Sequence, residues 1–459
     1  MKIWIKNVVA IPMKNENEVL ENTNIYIEDK HIIHIGEELK EFKYDKLIDG
    51  NNLLALPGLI NTHTHIAMVL MRNYADDVNL EDWLFNNIFP IEDKLVAEDV
   101  YYASLLAIIE MIKTGTTTFV DMYFFVEETI KALEKLPMRA VICRGLGDSA
   151  NSEKNLEESI SLSKQYMNND MLKIMIAPHS VYTCSKDFLQ KCINSAKEHN
   201  LSIHIHLNES KAEVENSIKA NGKSPIEYVN DLGMFEVNTL AAHCVYTTDK
   251  ELNILKEKKV TVLNNPTSNL KLASGFARVS DMINKGINVS LGTDGAASNN
   301  TLNMFREIHL ASILNKAVTS DPKSVSAYQA LKMATINGAK AIQMQDKLGT
   351  LEVGKLADII LIDINKTHLL PHNNYISMLS YSASGYEVDT SIIKEYLNTK
   401  ERYDYLLNQR EDLESSKKSL EKIIREIAFA MEEQFVSRMD IINKNFKEIF
   451  VTLFGGRKC

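Results

Sequence analysis

The 459-residue sequence predicts an α/β protein: a (β/α)8 TIM-like barrel with a small β-sandwich drawn from both of its flanks, followed by a long C-terminal helical or coiled-coil tail. Three observations carry that expectation. Short apolar strands alternate with longer helical segments between about residues 57 and 345, the rhythm of a βα barrel. Strand-like stretches precede and follow that region. The last segment, from Ser391, has no Pro and no Gly before Gly455, and it is dense in Glu, Lys, Leu and Ile.

Residues 1–56 contain KIWIKNVVAI, NIYIEDKHIIHIG and KLIDGNNLLAL, each rich in Ile, Val and Leu and separated by turn signals, so they form the first part of the β-domain. The barrel, 57–345, contributes strand candidates at LINTHTHIA from Leu59, GTTTFVDMY from Gly115, RAVICRGL from Arg139 and LKIMIAPHS from Leu172. Four more follow at LSIHIHLNE from Leu201, TLAAHCVY from Thr239, VTVLNNP from Val260 and INVSLGTDG from Ile287. Polar chemistry gathers at their C-terminal ends, where barrel enzymes build their sites. LGTLEVGKLADIILID, from Leu348, reads as strands around a Gly turn, and 346–390 form the second, incomplete part of the β-sandwich, with an edge near 356–364 left unpaired or covered by the tail. In the tail, 391–459, Leu406, Leu413, Leu420 and Ile427 repeat every seven residues with Ile424 and Met431 at the alternate seam position. Arg410 and Lys417 interrupt that seam. A coiled coil and an amphipathic helix packed on the barrel both fit.

Composition narrows the function. A chain that is 45% hydrophobic and 24% charged buries a large core, and its net charge of −10 disfavours a general nucleic-acid surface. No signal peptide and no apolar run of membrane-spanning length is present, so a cytoplasmic protein with no membrane partner is expected. Cys143, Cys184, Cys192, Cys244 and Cys459 are scattered and never paired as CxxC, which reads as reduced thiols.

His63 and His65 lie two apart on the first barrel strand and share one face. Alone, such a pair is more often structural than metal-binding. Further polar residues at strand ends, His179, His206, His243 and Asp294, shift the balance toward one divalent ion held by His63, His65, His206 and Asp294, with an open position for water. Zinc is the expected ion and iron the second candidate. Of His204 and His206, the latter is chosen because Glu209 follows it by three residues just past the strand end, which leaves His204 an ordinary buried role. Glu209 then carries protons to the substrate. The competing reading makes Glu209 the N-terminal acid of a helix beginning at ESKAEVENS. Gly222-Lys223-Ser224 lacks the rest of a phosphate loop and reads as a helix-breaking turn.

The runs PGLINTHTHIAMVLMR, WLFNNIFPIEDKL, IAPHSVYTCS, HIHLNES, AAHCV, NNPTSNLKLASG and LGTDGAASNN resemble the amidohydrolase superfamily, and more narrowly its 5-methylthioadenosine/S-adenosylhomocysteine deaminases, over residues 1–390. The resemblance implies His63, His65, His206 and Asp294 as ligands and Glu209, Asp294 and His243 as catalytic groups. It implies that His179 and His243 orient the purine or the attacking water, that Glu92 accepts the ribose hydroxyls, and that Arg144 binds substrate alongside Glu209 and Asp294. On sequence chemistry alone Glu92 and Arg144 read equally well as an exposed helix acid and a surface base. The family often carries His before Asn-Pro, where this chain has Asn264 before Asn265-Pro266. The implied reaction is hydrolysis of the adenine 6-amino group of a purine nucleoside, giving an inosine-type product and ammonia. The rivals are guanine deamination or triazine hydrolysis on the same frame.

A second resemblance concerns the tail. KERYDYL, QREDLE and NKNFKEIF with LFGG are similar to the coiled-coil segment of structural maintenance of chromosomes proteins. In that family the coil pairs with an antiparallel partner that is missing here, so the tail is expected to self-associate through the C-terminal helix, fold back on the barrel or stay partly exposed, and a chromosome-associated scaffold with an inert barrel stays open as a rival.

Overall fold

The computed structural model describes residues 1–393. Strands β1 (Lys2–Ala10), β2 (Leu20–Glu28), β3 (His31–Gly36), β4 (Lys46–Asp49) and β5 (Leu53–Pro57) precede the barrel. The run expected as one strand from Asn24 is a β2–β3 hairpin, because Asp29 turns the chain with φ 53°. After the barrel come β14 (Ile359–Asp363) and β15 (Val388–Ile392). These strands join one seven-stranded sheet in the order β15-β14-β5-β1-β2-β3, with β4 beside β1. The expected sandwich is therefore a single branched sheet: β1 pairs with β4 along Ile3–Lys6 and with β5 along Val9–Ala10. Ile3, Ile5, Ile25, Ile27, Ile359 and Leu361 fill its buried face.

Two expectations about the second flank change. The first half of LGTLEVGKLADIILID is a turn segment, joined to the hairpin by a bridge between His31 and Leu356, and only its end forms β14. Nor is β14 an unpaired edge. It lies between β5 and β15, both antiparallel to it, and Ser391 and Ile392, assigned above to the tail, complete β15. The coiled-coil expectation falls on residues outside those described.

The barrel strands are β6 (Leu59–Thr64), β7 (Thr116–Tyr123), β8 (Arg139–Leu146), β9 (Leu172–Pro178), β10 (Ile203–Leu207), β11 (Thr239–His243), β12 (Thr261–Asn264) and β13 (Val289–Leu291). They form one parallel eight-stranded sheet in sequence order. Helices cover its outer face, which is why residues of both parities are buried along β6, β7, β10 and β11. Alternate residues such as Val120, Met122, Val141, Cys143, Leu240 and Ala242 pack the interior.

The seam between β6 and β13 closes through specific polar contacts. Thr62 Oγ1 donates to the Leu291 carbonyl at 2.8 Å, Asn61 Oδ1 accepts from the Thr293 amide at 3.0 Å, and the Asp294 amide donates to the His63 carbonyl at 2.9 Å. The last closure thus sets two expected metal ligands side by side. A register slip of β6 against β7 between Asn61 and Thr64 lets both Ile60 and His63 face inward despite their odd spacing. Arg139 of β8 and Asp358, just before β14, form an ion pair buried to 1% and 5% exposure that ties barrel to sheet. Among the described residues no helix is long and apolar enough to cross a membrane.

Candidate active site and metal centre

Five strand ends supply the centre: β6 brings His63 and His65, β9 leads into His179, β10 brings His206, β11 brings His243, and β13 leads into Asp294. His63, His65 and His206 present nitrogens close enough to hold one ion, as do His63, His243 and Asp294. Asp294 Oδ1 lies 3.2 Å from His65 Nε2 and 3.5 Å from His63 Nε2. Asp294 adopts φ 61° and His243 φ 71°, left-handed conformations that turn both side chains at the ends of short strands.

The donor set fits a divalent cation. In each proposed ligand histidine Nδ1 is already committed: His63 to His204 Nε2 at 2.9 Å, His65 to the Met122 carbonyl at 2.5 Å, and His206 to the His179 carbonyl at 2.8 Å. Nε2 is left facing the centre, and that of His63 is buried with no hydrogen-bond partner. Fixing one ring nitrogen by an outer partner is how metal-binding histidines are oriented. The charge balance agrees. Burial opposes a proton on both rings; at His65 the Asp294 carboxylate outweighs it and lifts the imidazole to about 9, whereas at His63 burial prevails and holds it at about 4. Asp294 is buried too, yet His63 and His65 keep it well below the usual carboxylate range. The cluster therefore calls for positive charge, and a cation satisfies all of its members together.

Outer contacts complete the centre. Ser268 Oγ donates to Asp294 Oδ2 at 2.6 Å. His243 Nδ1 is tied to the side-chain amides of Asn269 at 2.8 Å and Asn265 at 3.4 Å, which leaves Nε2 3.5 Å from Glu209 Oε2. Glu209 is 6% exposed, and burial followed by the Asp294 charge pushes its carboxyl well above the usual value. Its helix-cap reading is overturned by the next turn. Ser210 is the N-cap of helix Lys211–Asn221, and Glu213 is its first-turn acid, accepting from the Glu209 amide at 2.6 Å. Glu209 itself faces the pocket.

That pocket, about 190 Å³, reaches from His65, His206, Glu209, His243 and Asp294 past His179 and Thr183 to Glu92 and Tyr123. Glu92 stands on the short helix Phe89–Glu92; burial raises its carboxyl while the Tyr123 hydroxyl works the other way. Its Oε1 is buried without a hydrogen-bond partner, as is Trp83 Nε1 on the π-helical turn Asp82–Ile88. Arg144 departs from expectation. Cys143 and Gly145 face the barrel interior and the pocket, so strand alternation sends Arg144 outward, where Glu127 and Glu158 hold its guanidinium. It is not among the residues lining the pocket.

Sequence reasoning underrated His204, whose contact with His63 is long-range, and missed Ser268, Asn269 and Tyr123. Ser268 and Asn269 lie within NNPTSNLK, after a strand end, and Tyr123 closes β7; position at a strand terminus was the available signal. Gly222 caps one helix with φ 72° and Ser224 opens the next, the turn expected there.

Comparison with known proteins places this centre. The amidohydrolase family profile matches residues 54–396. The chain is 53% identical over 398 residues, 86% of its own length and 92% of the relative's, to a 5-methylthioadenosine/S-adenosylhomocysteine deaminase of Thermoanaerobacter pseudethanolicus. It is 45% identical to a 5'-deoxyadenosine deaminase of Methanosarcina acetivorans, covering 85% of this chain and 91% of that one. Among solved structures, an adenosine deaminase from Xanthomonas campestris with bound zinc superposes with a TM-score of 0.83 at 28% identity, covering 91% of this chain and 98% of that one. The chain belongs to the amidohydrolase family, within its group of 5-methylthioadenosine/S-adenosylhomocysteine deaminases.

Proposed function

We propose that this protein hydrolyses the 6-amino group of an adenine nucleoside of the 5-methylthioadenosine type, releasing ammonia and leaving the inosine-type product. The observation that carries the reading is Glu209, a buried carboxyl held against His243 beside the ligand cluster, in a pocket that ends at the unpaired carboxylate oxygen of Glu92. His63, His65, His206 and Asp294 would hold the divalent ion, with zinc the reading that this nitrogen and oxygen donor set favours. Such an ion, when bound, brings the pKa of a coordinated water to near neutrality.

The chain's own groups manage the protons. Glu209, kept protonated by its burial, delivers its proton to ring nitrogen 1 as the water oxygen bonds to carbon 6, and Asp294 takes the water's proton. Asp294 passes that proton to the amino nitrogen, the carbon–nitrogen bond breaks, and ammonia leaves. The remaining hydroxyl proton returns to Glu209. His243, fixed through Nδ1, and His179, bonded to Thr183 Oγ1 at 3.0 Å, orient the water and the purine. Glu92 accepts the ribose hydroxyls.

Ammonia release from 5-methylthioadenosine by the metal-loaded protein tests the reading. Glu209→Gln keeps the side chain's size and removes its proton; kcat falls about 10²- to 10⁴-fold, roughly 3–5 kcal/mol, at unchanged metal content. Turnover at the parent rate in that variant removes Glu209 from the mechanism.

A further inference from the structure

Behind the metal centre lies a carboxylate that the mechanism above does not use. Glu307, in the helix Met304–Thr319, is 0% exposed and lies outside the residues lining the pocket. Three donors hold it. Its Oε2 accepts from the Thr267 amide at 3.1 Å, and its Oε1 accepts from the Thr267 hydroxyl at 2.6 Å and from the Asn299 side-chain amide at 2.8 Å. Burial pushes its carboxyl up to about 7, and those hydrogen bonds pull the other way. Taking a carboxylate out of water is costly, and an apolar side chain fills a core position without that penalty. What this one does instead is join two turns.

Those turns carry the outer contacts of the centre. Thr267 lies in the helix Pro266–Lys271, directly before Ser268 and Asn269. Ser268 Oγ donates to Asp294 Oδ2 at 2.6 Å, and Asn269 Oδ1 stands 2.8 Å from His243 Nδ1. Asn299 ends the helix Ala296–Asn299, just past Asp294, and donates back to the Thr293 carbonyl at 2.7 Å. Ser268 Oγ and Ser298 Oγ, 2.9 Å apart, link the two turns again. Asn269 Nδ2 is buried without a hydrogen-bond partner, so the backbone of its turn sets the aim of that amide at His243.

We propose that Glu307 is a positioning residue: its carboxylate clamps residues 267–269 to residues 293–299, and through Ser268 and Asn269 it fixes the orientation of Asp294 and His243. Its effect on turnover rests on the deaminase reading above. Its effect on the ligand cluster, exerted through Asp294, does not.

The experiment is a double-mutant cycle on the full-length protein. Glu307→Gln keeps the side chain's size but sets an amide NH2 against one of the three donors. With Ser268 and Asn269 intact, it lowers kcat about tenfold, leaves KM for 5-methylthioadenosine within about threefold, and weakens zinc about tenfold in competition with a chromophoric chelator. In a Ser268→Ala, Asn269→Ala background the same substitution changes kcat and zinc affinity by less than about twofold, because linked positions do not add. A carboxylate that only stabilises the fold gives equal factors in both backgrounds and a lower melting temperature, and that result overturns the proposal. Thr267→Val decides the matter if Glu307→Gln fails to fold. It removes one donor and costs about threefold in both quantities, whereas Thr267→Ser, which keeps the hydroxyl, recovers most of that loss. Parent-like kcat and zinc affinity in Thr267→Val or in a folded Glu307→Gln overturn the clamp. Absence of ammonia from the parent protein brings down the deaminase reading instead, and the zinc measurements then judge Glu307 by themselves.

Discussion

Gly292 sits where the barrel closes, and replacing it with alanine is expected to cost the protein its metal before its fold. A Cβ built there lies 2.5 Å from Asn265 Oδ1, 2.6 Å from His63 Cβ and 2.7 Å from the His63 carbonyl oxygen. Carbon atoms in comfortable contact stand about 3.5–4.0 Å apart, so the seam must open by about 1 Å. Two of the three obstacles belong to the backbone or first side-chain carbon of a ligand histidine and cannot rotate away. Overpacking of this kind costs about 1–3 kcal/mol, and the rigid neighbours favour the upper end. If His63 yields, its ring leaves a coordination geometry that tolerates only about 0.2 Å, and about 3 kcal/mol corresponds to roughly a hundredfold loss of metal affinity. The assay is competition for the ion against a chromophoric chelator, alongside ammonia release and a thermal melt followed by circular dichroism. Gly286→Ala is the control, since no atom lies within 4 Å of its added Cβ and only the strain of φ +80° is incurred. Metal affinity within threefold of the parent in Gly292→Ala, with parent-like turnover, would refute the link between seam and ligand cluster.

Other predictions follow from individual contacts. His204→Leu removes the partner of His63 Nδ1 and lowers metal affinity about 10- to 100-fold at little cost to secondary structure; unchanged chelator competition would return His204 to a packing role. Arg139→Met leaves Asp358 buried without its cation and destabilises by about 3–5 kcal/mol in urea unfolding, whereas Arg139→Met with Asp358→Leu recovers most of the loss. A double variant no more stable than the single one contradicts that account. At the sheet, Thr350 and Lys14 depress Glu352 to about 2 from an ordinary 4.5, so its stabilising contribution is complete above about pH 4.5 and is lost as pH falls toward 2. Lys14→Met flattens that part of the acid-unfolding profile; superimposable profiles would show that the pair adds nothing measurable.

The barrel was legible because its signals are local. The strands from Leu59 to Leu291 are short, largely apolar runs with polar residues at or just past many of their C-terminal ends, and adjacent strands in sequence became adjacent strands in the sheet. His63, His65, His206 and Asp294 were picked out as the proposed ligands for the same reason, since barrel enzymes gather their polar groups at the C-terminal ends of strands. The second flank was less legible. β15 begins at Val388 and runs through Ser391 and Ile392, residues whose sequence blends into the charged, helix-forming tail, and only pairing with Ile359 and Ile360 makes them a strand. β14 is likewise protected by partners far away in sequence rather than by anything in its own composition.

By itself, then, the sequence determined the class of fold and put forward the proposed ligand set of three histidines and one aspartate, because period and residue type act over a few neighbours. Tertiary structure alone decided the rest. It set His204 behind His63 across 141 positions, aimed Glu209 into the pocket while giving the helix cap to Ser210 and Glu213, and turned Arg144 away from the wall. Those outcomes depend on which strand lies beside which, and on which face a given residue reaches after a register slip. Such facts exist only once the sheet has closed.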